Sequence, residues 1–305
     1  MPAVWAPERA VTIAAGTPPG GGLDRVARAL AEVIAEARLL DVPVDVLNVP
    51  GDGARRVWAH VDRHPGDAHL VSISSPNLTT DRLVGLATFD LSRYVPIATL
   101  VTEYIAFAVR ADSGLRCGAD LLGRLATDPG GVTVALSTAL GNPNHIALAK
   151  LTQHAGGDIN APRIRVFDTA LDAVADVIAG HAEVGAVTAA SVLKELAAGR
   201  VRLLGISAPE RLSAPFAGTP TWIEQSVDCV VGAWRGVAGP SGLEAAQVAF
   251  WRRLLCDVVK DARWQAALAR HCWSPMHIDG EALHGYLAQE REEMRTLLGE
   301  LGLLR

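Results

Sequence analysis

The stretch VTIAAGTPPGGGLDRVAR, residues 11–28, joins a short apolar run, a turn rich in proline and glycine, and the start of an amphipathic helix. Apolar residues recur at helical spacing from Leu23 onward, so the helix is expected to begin at about Gly22. The first N–H groups of a helix lack intrahelical partners and carry partial positive charge. Because glycine has no Cβ, the backbone at Gly20, Gly21 and Gly22 can approach an anion closely. The stretch therefore predicts a phosphate or carboxylate site, with a turn that only reverses the chain as the alternative.

Short β-type runs alternate with helix-type stretches along most of the chain, which predicts crossover connections and largely parallel sheets. The predicted strands are at residues 11–15, 44–48, 70–74, 105–109, 132–135, 164–166, 184–187 and 203–207. The predicted helices are at residues 23–37, 53–63, 76–85, 118–126, 144–155, 169–179, 189–198, 244–270 and 281–298. The fold class is therefore α/β.

Two lobes are predicted, because segments 105–110 and 234–240 look like strands that cross between domains. The first lobe would contain residues 1–106 and 236–305, and the second would contain residues 107–235. A ligand would then lie in the cleft between the lobes, outside the carboxyl ends of the strands. The second lobe repeats the strand, loop and helix pattern in STALGNPNHIALAKL at residues 137–151, where Asn142 or Asn144 can cap the helix.

Composition excludes several classes of protein. The formal net charge of −5 argues against a general nucleic-acid binder. No run of about 18 apolar residues is present, so no membrane span is expected. The four cysteines form no CxxC, and neither a metal site nor a nucleotide-cofactor motif is predicted. Ser137 and His145 could form a nucleophile and base, but no elbow motif or orienting acid accompanies them, so no catalytic residue is assigned.

Eight motifs in order resemble the periplasmic solute-binding receptors of tripartite tricarboxylate transporters, the Bug or TctC type. They are PPGGGLDRVAR (18–28), NVPGDGA (48–54), HPGDAHL (64–70), LGNPNHIA (140–147), IAGHAEVGAV (178–187), AGRVRLLGISAPERL (198–212), GTPTWIEQSVD (218–228) and WRGVAGPSGL (234–243). Each motif alone is weak, but the series spans nearly the whole chain. The resemblance implies a two-lobed Venus-flytrap fold with two mainly parallel sheets flanked by helices.

The resemblance also implies ligand-binding residues. In the first lobe, backbone N–H groups of one loop would bind a carboxylate, directly or through water. That loop contains Thr17, Pro19, Gly20, Gly21 and Gly22. Asp24 would fix the loop, because a direct contact would repel an anion. Side chains after the third predicted strand would donate hydrogen bonds from Ser74, Ser75 and Asn77.

The second lobe would contribute the facing loop and one side chain after the strand at 184–187. These residues are Ser137, Thr138, Gly141, Asn142, His145 and Thr188. For each residue the alternative role is a hydrogen bond that stabilises its own loop.

Two departures from the family pattern concern the ligand. Asp168 and Thr169 replace a glycine-rich turn, and an acid at the mouth of the site would disfavour a dianion unless it points away or pairs with a cation. A ligand amine or hydroxyl could instead meet it. Arg55 and Arg56 replace small residues, and one could reach the cleft or lie in solvent.

The function implied is capture of a small organic acid and its delivery to a permease of one large and one small subunit. The receptor would be a periplasmic monomer without enzymatic activity or cofactor. The N-terminal sequence MPAVWAPERA lacks signal-peptide features, so the location follows from the resemblance alone. A sensor that reports the ligand to a signalling partner is the alternative, and a hydrolase using Ser137 and His145 is a less favoured one.

Overall fold

A computed structural model of the chain describes residues 5–87 and 91–305. The contacts divide it into two compact units. Unit 1 contains the residues up to Thr102 and Trp234–Arg295, and unit 2 contains Glu103–Ala233 and Thr296–Arg305. The predicted lobes divided the chain at 106/107 and 235/236 and placed the whole C-terminus in the first lobe. The lobe boundaries stay a prediction.

Unit 1 begins with three parallel strands that alternate with helices. The elements are β1 (Val11–Ala15), α1 (Gly22–Glu36), β2 (Val44–Asn48), α2 (Arg55–Val61), β3 (Leu70–Ser74) and α3 (Asn77–Leu83). Strand β1 pairs in parallel with both β2 and β3. The carboxyl ends of parallel strands lie at one edge of a sheet, so the loops that follow these three strands gather at that edge.

A 16-residue strand, β4 (Val95–Arg110), carries the chain into unit 2. The elements that follow are α4 (Gly118–Thr127), β5 (Thr133–Ser137), α5 (Pro143–His154), β6 (Arg163–Phe167), α6 (Ala170–Ile178), β7 (Val184–Thr188), α7 (Leu193–Ala197) and β8 (Val201–Ile206). Strand β5 is parallel to β6 and β7, and β4 is antiparallel to β7 and β8. The loops after β5, β6 and β7 therefore share one edge of this sheet.

The C-terminal part returns the chain to unit 1 from Trp234 to Arg295, and Thr296–Arg305 belong to unit 2. Its elements are β9 (Gly232–Gly239), α8 (Ala245–Lys260), α9 (Ala262–His271), β10 (Ser274–Asp279) and α10 (Gly280–Glu300). Strand β9 is antiparallel to β3, and β10 is antiparallel to β4. These antiparallel strands make the sheets mixed, around the parallel strands that the sequence predicts.

One predicted helix, at residues 244–270, is wrong in its length. Asp261 has an extended backbone, with ψ at 139°, and separates α8 from α9. Its side chain accepts a hydrogen bond from the Arg263 N–H at 2.8 Å, which caps the second helix. The amphipathic pattern continues across this break, so periodicity alone predicted a single helix.

A hydrophobic cluster in unit 1 fixes the two short helices that follow β2 and β3. Val57 and Trp58 of α2 pack in it with Leu78 of α3 and Ala14 of β1. The Tyr94 hydroxyl donates to the backbone carbonyl of Trp58 at 3.2 Å. Both helices are therefore anchored at the carboxyl edge of the parallel strands.

Candidate functional site

The loop between β1 and α1 is organised by one buried carboxylate, Asp24, which is 1% exposed. Its oxygens accept hydrogen bonds from the Gly20 N–H at 2.7 Å, the Asn48 side-chain amide at 2.8 Å, and Nε of Arg28 at 2.9 Å. Burial raises the pKa of Asp24, but the hydrogen bonds from Arg28, Asn48 and Gly20 outweigh it, so the pKa lies below its ordinary value. Asp24 therefore fixes the loop as a carboxylate.

Thr17 joins the same network at the start of the loop. Its hydroxyl accepts from the Asp24 N–H at 3.1 Å, and its carbonyl accepts from Asn48 at 2.8 Å. The exposed turn at Pro19 and Gly20 follows, and Gly20 has φ of +84°, which favours glycine. Gly21 is needed for another reason, because a Cβ there would lie 2.5 Å from Cβ of Thr17.

The predicted backbone donors in this loop are not equivalent. The Gly21 N–H donates to the carbonyl of Pro18 at 2.9 Å, and the Gly20 N–H is bonded to Asp24. Within residues 5–87 and 91–305, the N–H groups of Gly22 and Leu23 have no acceptor. These two N–H groups, in the first turn of the 15-residue helix α1, are the donors open to an anion.

The other predicted residues of unit 1 lie at the end of β3. Ser74 is the last residue of β3, Ser75 follows it, and Asn77 begins α3. Both serines are buried, and their hydroxyls have no hydrogen-bond partner in the part of the chain that the structure describes. Because β1 and β3 are paired, these residues lie at the same edge of the sheet as the Thr17 loop.

The loop between β5 and α5 in unit 2 is organised by Asn142. Its side-chain oxygen accepts from the His145 N–H at 3.1 Å and caps α5. Its amide donates to the Ser137 carbonyl at 2.6 Å and to the Thr138 hydroxyl at 2.8 Å. The N–H of Asn144, in the first turn of α5, has no acceptor among the described residues. One asparagine thus holds the loop while this N–H stays open.

Ser137 and His145 are not arranged as a nucleophile and its base. Nδ1 of His145 accepts from the Gly141 N–H at 3.0 Å, and the Ser137 hydroxyl accepts from the Asn144 side chain at 3.2 Å. The two side chains share no hydrogen bond. Burial lowers the pKa of His145 to about 4, so the imidazole is neutral near pH 7. The hydrolase prediction therefore lacks the contact that it requires.

The remaining predicted residues follow β6 and β7. Thr169 caps α6, where its hydroxyl oxygen accepts from the Asp172 N–H at 3.1 Å. Asp168 is exposed and has no hydrogen bond or ion pair with any described residue. The Thr138 N–H donates to the Phe167 carbonyl at 2.7 Å, so Asp168 follows a residue that contacts the Asn142 loop. The Thr188 hydroxyl is hydrogen bonded to that of Ser191 at 2.9 Å.

The family profile described as the tripartite tricarboxylate transporter family receptor, TctC, matches residues 26–303. The chain belongs to this family. A UPF0065 protein from the tcbD–tcbE intergenic region of Pseudomonas sp. is 30% identical over 77% of the chain and 69% of its own length. The protein BugT of Bordetella pertussis is 23% identical over 97% of the chain and 90% of its own length.

Solved structures share the TctC receptor fold. A TctC solute-binding protein from Polaromonas, solved without ligand, is 25% identical and covers 97% of this chain and 99% of its own, with a TM-score of 0.70. An R. palustris protein solved with adipate is 19% identical and covers 97% of this chain and 98% of its own, with a TM-score of 0.87. The second likeness concerns the fold alone. Among the described residues, no helix combines the length and hydropathy needed to cross a bilayer.

Sequence reasoning on this TctC receptor missed two features at the carboxyl edge of unit 1. The side-chain amide of Asn48 joins the Thr17 carbonyl to Asp24. The sequence pattern indicated Asn48 only as the first residue of the motif NVPGDGA. Arg55 forms an ion pair with the buried Asp81 at 3.3 Å. Asn48 could have been found from its place at the end of a predicted strand, whereas nothing local relates Arg55 to Asp81.

Proposed function

We propose that this TctC receptor is a periplasmic, non-enzymatic protein that captures a small carboxylate-containing metabolite and delivers it to a tripartite tricarboxylate-type permease. The observation that carries the proposal is the same in each unit. A long helix begins at the carboxyl edge of parallel strands, and a buried side chain holds the preceding loop so that N–H groups stay open. Carboxylates are the ligands that such N–H groups and the helix dipole favour.

In unit 1 the supporting residues are Gly22 and Leu23, whose N–H groups lack acceptors, and Asp24, which holds the loop from behind. The Asp24 carboxylate accepts hydrogen bonds from Gly20, Asn48 and Arg28, so its charge is compensated. A bound carboxylate would therefore meet backbone dipoles rather than an uncompensated negative charge. The hydroxyls of Ser74 and Ser75 are further donors at this edge.

In unit 2 the supporting residues are Asn142, which orders the loop, and Asn144, whose N–H is open. The neutral His145 adds no charge, since burial keeps its pKa at about 4. Recognition at this loop would rest on hydrogen bonds alone. The absence of a Ser137–His145 hydrogen bond within the described chain also supports a receptor rather than a hydrolase.

A ligand screen tests the proposal. Thermal unfolding would be followed with adipate, malate, citrate, straight-chain monocarboxylates and amino acids, and calorimetry would confirm each ligand. A ligand at 100 times its Kd adds about 2.7 kcal/mol to the free energy of unfolding, which raises the midpoint measurably. Binding of one or more carboxylates is expected. A folded, ligand-free protein that binds none of them would contradict the proposal.

Variants in each unit test where the ligand binds. Gly21→Ala should weaken binding at least about tenfold, because the new Cβ displaces Thr17 and moves the open N–H groups. Gly123→Ala is the matched control, since nothing lies within 4 Å of a Cβ at that helical position. In unit 2, Asn142→Ala should weaken binding, whereas Asn160→Ala, in an exposed turn, should not. Unchanged affinity in both Gly21→Ala and Asn142→Ala would place the ligand elsewhere.

Delivery to a permease needs its own measurement. Deleting the gene from the source organism should abolish uptake of the radiolabelled ligand, and the wild-type gene should restore it. A Gly21→Ala gene should restore less uptake in proportion to its weaker binding. Normal uptake in the deletion strain would contradict the transport role.

A further inference from the structure

Arg55 lies at the carboxyl edge of the parallel strands of unit 1, next to the predicted ligand loop. Gly16 follows β1 and precedes Thr17 of that loop. A Cβ on Gly16 would lie 2.5 Å from Cβ of Ala54, so Ala54 packs directly on this backbone. Arg55 is the next residue and begins α2. The loop after β2 thus brings an arginine beside the start of the loop that holds the open N–H groups.

The guanidinium of Arg55 reaches α3, the helix that follows β3. Its NH1 lies 3.3 Å from Oδ2 of Asp81. Asp81 is four residues after Asn77, and residues at this spacing lie on the same face of a helix. The Arg55 guanidinium therefore contacts a residue on the α3 face that carries Asn77.

This ion pair leaves much of the hydrogen-bonding capacity of the guanidinium unused. In the part of the chain that the structure describes, Arg55 makes one hydrogen bond, to Asp81, although a guanidinium has five N–H groups. Its side chain is 22% exposed, so a ligand can reach it. The other oxygen of Asp81, Oδ1, is buried without a hydrogen-bond partner. Burial raises the pKa of Asp81 to about 6, and the charge and hydrogen bond of Arg55 offset this only in part.

Two neighbouring arginines are held by other partners. Arg28 donates to Asp24 and to Asn48. Arg56 is exposed, pairs with Asp52 at 2.9 Å, and lies over the backbone of Gly51. Arg55 is thus placed to meet an anion at the edge of the sheet, and a guanidinium binds a carboxylate through two parallel hydrogen bonds.

We propose that Arg55 is a specificity-determining residue of this receptor. Its guanidinium binds one carboxylate of a ligand that carries at least two. The inference rests on the proposed function, and it adds that a second carboxylate is recognised by a side-chain charge in unit 1. Asp81 anchors the guanidinium on α3 when no ligand is bound.

Calorimetry on matched ligand pairs tests the role of Arg55. The probes are straight-chain dicarboxylates from malonate to suberate, each with its monomethyl ester, which has the same chain and one charge fewer. Arg55→Gln should weaken binding of the preferred dicarboxylate about 10- to 100-fold, the range expected for a charge-assisted pair, and change binding of its ester by less than about threefold. Arg56→Gln, the control at the adjacent position, should change both by less than about twofold.

The outcomes separate this inference from the proposed function. Equal losses for diacid and ester, or an unchanged affinity of Arg55→Gln for the diacid, would overturn the role of Arg55. A wild-type protein that binds only monocarboxylates would overturn it too, while the receptor function would stand. A wild-type protein that binds no carboxylate would contradict both. If Arg55→Gln fails to fold because Asp81 loses its partner, Arg55→Gln/Asp81→Asn removes both charges and should show the same loss of preference for the diacid.

Discussion

Replacing Asp24 by asparagine should destabilise unit 1 and loosen the predicted ligand loop, although we assign Asp24 no ligand contact. The carboxylate has two acceptor oxygens, which serve the Gly20 N–H, the Asn48 amide and Nε of Arg28. Asparagine keeps one oxygen and turns the other position into an N–H₂ donor. One of the three N–H donors would then face the new N–H₂ group instead of an acceptor. The hydrogen bonds that remain would be made to a neutral oxygen instead of a carboxylate oxygen.

The size of the effect follows from these contacts. A buried donor without an acceptor costs about 1–3 kcal/mol, and the lost charge on a remaining hydrogen bond costs about 1 kcal/mol more. Arg28 is 53% exposed, so its ion pair adds only about 0.5 kcal/mol. We expect Asp24→Asn to lower the free energy of unfolding by about 3 kcal/mol at pH 7. Asp45→Asn, on an exposed position of β2 without a partner among the described residues, should stay within about 0.5 kcal/mol of wild type.

The pH dependence gives a second signature. The pKa of Asp24 is lower in the folded protein than in the unfolded chain, because its hydrogen bonds outweigh the effect of burial. Its contribution to stability is therefore present above pH of about 4 and is lost as the pH falls below that value. Urea unfolding of wild type and Asp24→Asn should give free energies that converge as the pH is lowered toward 2. A difference below about 0.5 kcal/mol at pH 7, or one that stays constant to pH 2, would refute this account of the loop.

Three further substitutions have directions that follow from burial and charge. Burial lowers the pKa of His145 to about 4, so the free energy of unfolding of wild type should fall by up to about 3 kcal/mol as the pH falls from 7 to 4. His145→Gln, which keeps an acceptor for the Gly141 N–H, should lose less. Equal losses for the two proteins in urea unfolding would contradict this. Burial raises the pKa of Glu290 to about 7 despite hydrogen bonds from Trp234 and Tyr286, so the free energy of unfolding should fall as the pH rises from about 4.5 through 7. Glu290→Gln should remove that fall, which unfolding at pH 5 and pH 8 measures. The same fall in the variant as in wild type would count against this prediction. If the exposed charge of Asp168 only repels the ligand, Asp168→Asn should tighten dicarboxylate binding about twofold to fivefold, as measured by calorimetry. Weaker binding would instead indicate a direct contact with a ligand amine or hydroxyl.

The parallel strands were predictable because their signal is local. Strands β1, β2 and β3 have the predicted bounds, since each is a short apolar or alternating run between turn residues. The helix after β5 was predicted at residues 144–155 and is Pro143–His154, capped by Asn142. An asparagine followed by a proline indicates a helix start on residue type alone.

The antiparallel additions were harder to predict. The first half of β4 was missed, and Pro96 at its second position weakens a strand prediction. Strand β10, SPMHID, has no apolar run and an irregular register against β4, so it depends on pairing rather than on its own pattern. Such strands are stabilised by partners that are distant in sequence.

In the candidate site, too, local contacts were predictable from the sequence and long-range contacts were not. The organising roles of Asp24 and Asn142 follow from residues within seven positions in the chain, together with Asn48 at the end of the next strand. The pairing of Arg55 with Asp81 joins residues 26 positions apart, through two helices whose placement is set by the packing of Val57 and Leu78. Local pattern can predict a loop whose open N–H groups suit a carboxylate, because capping chemistry is local. Which side-chain charge accompanies that loop depends on tertiary packing, and this charge is what would distinguish a dicarboxylate from a monocarboxylate.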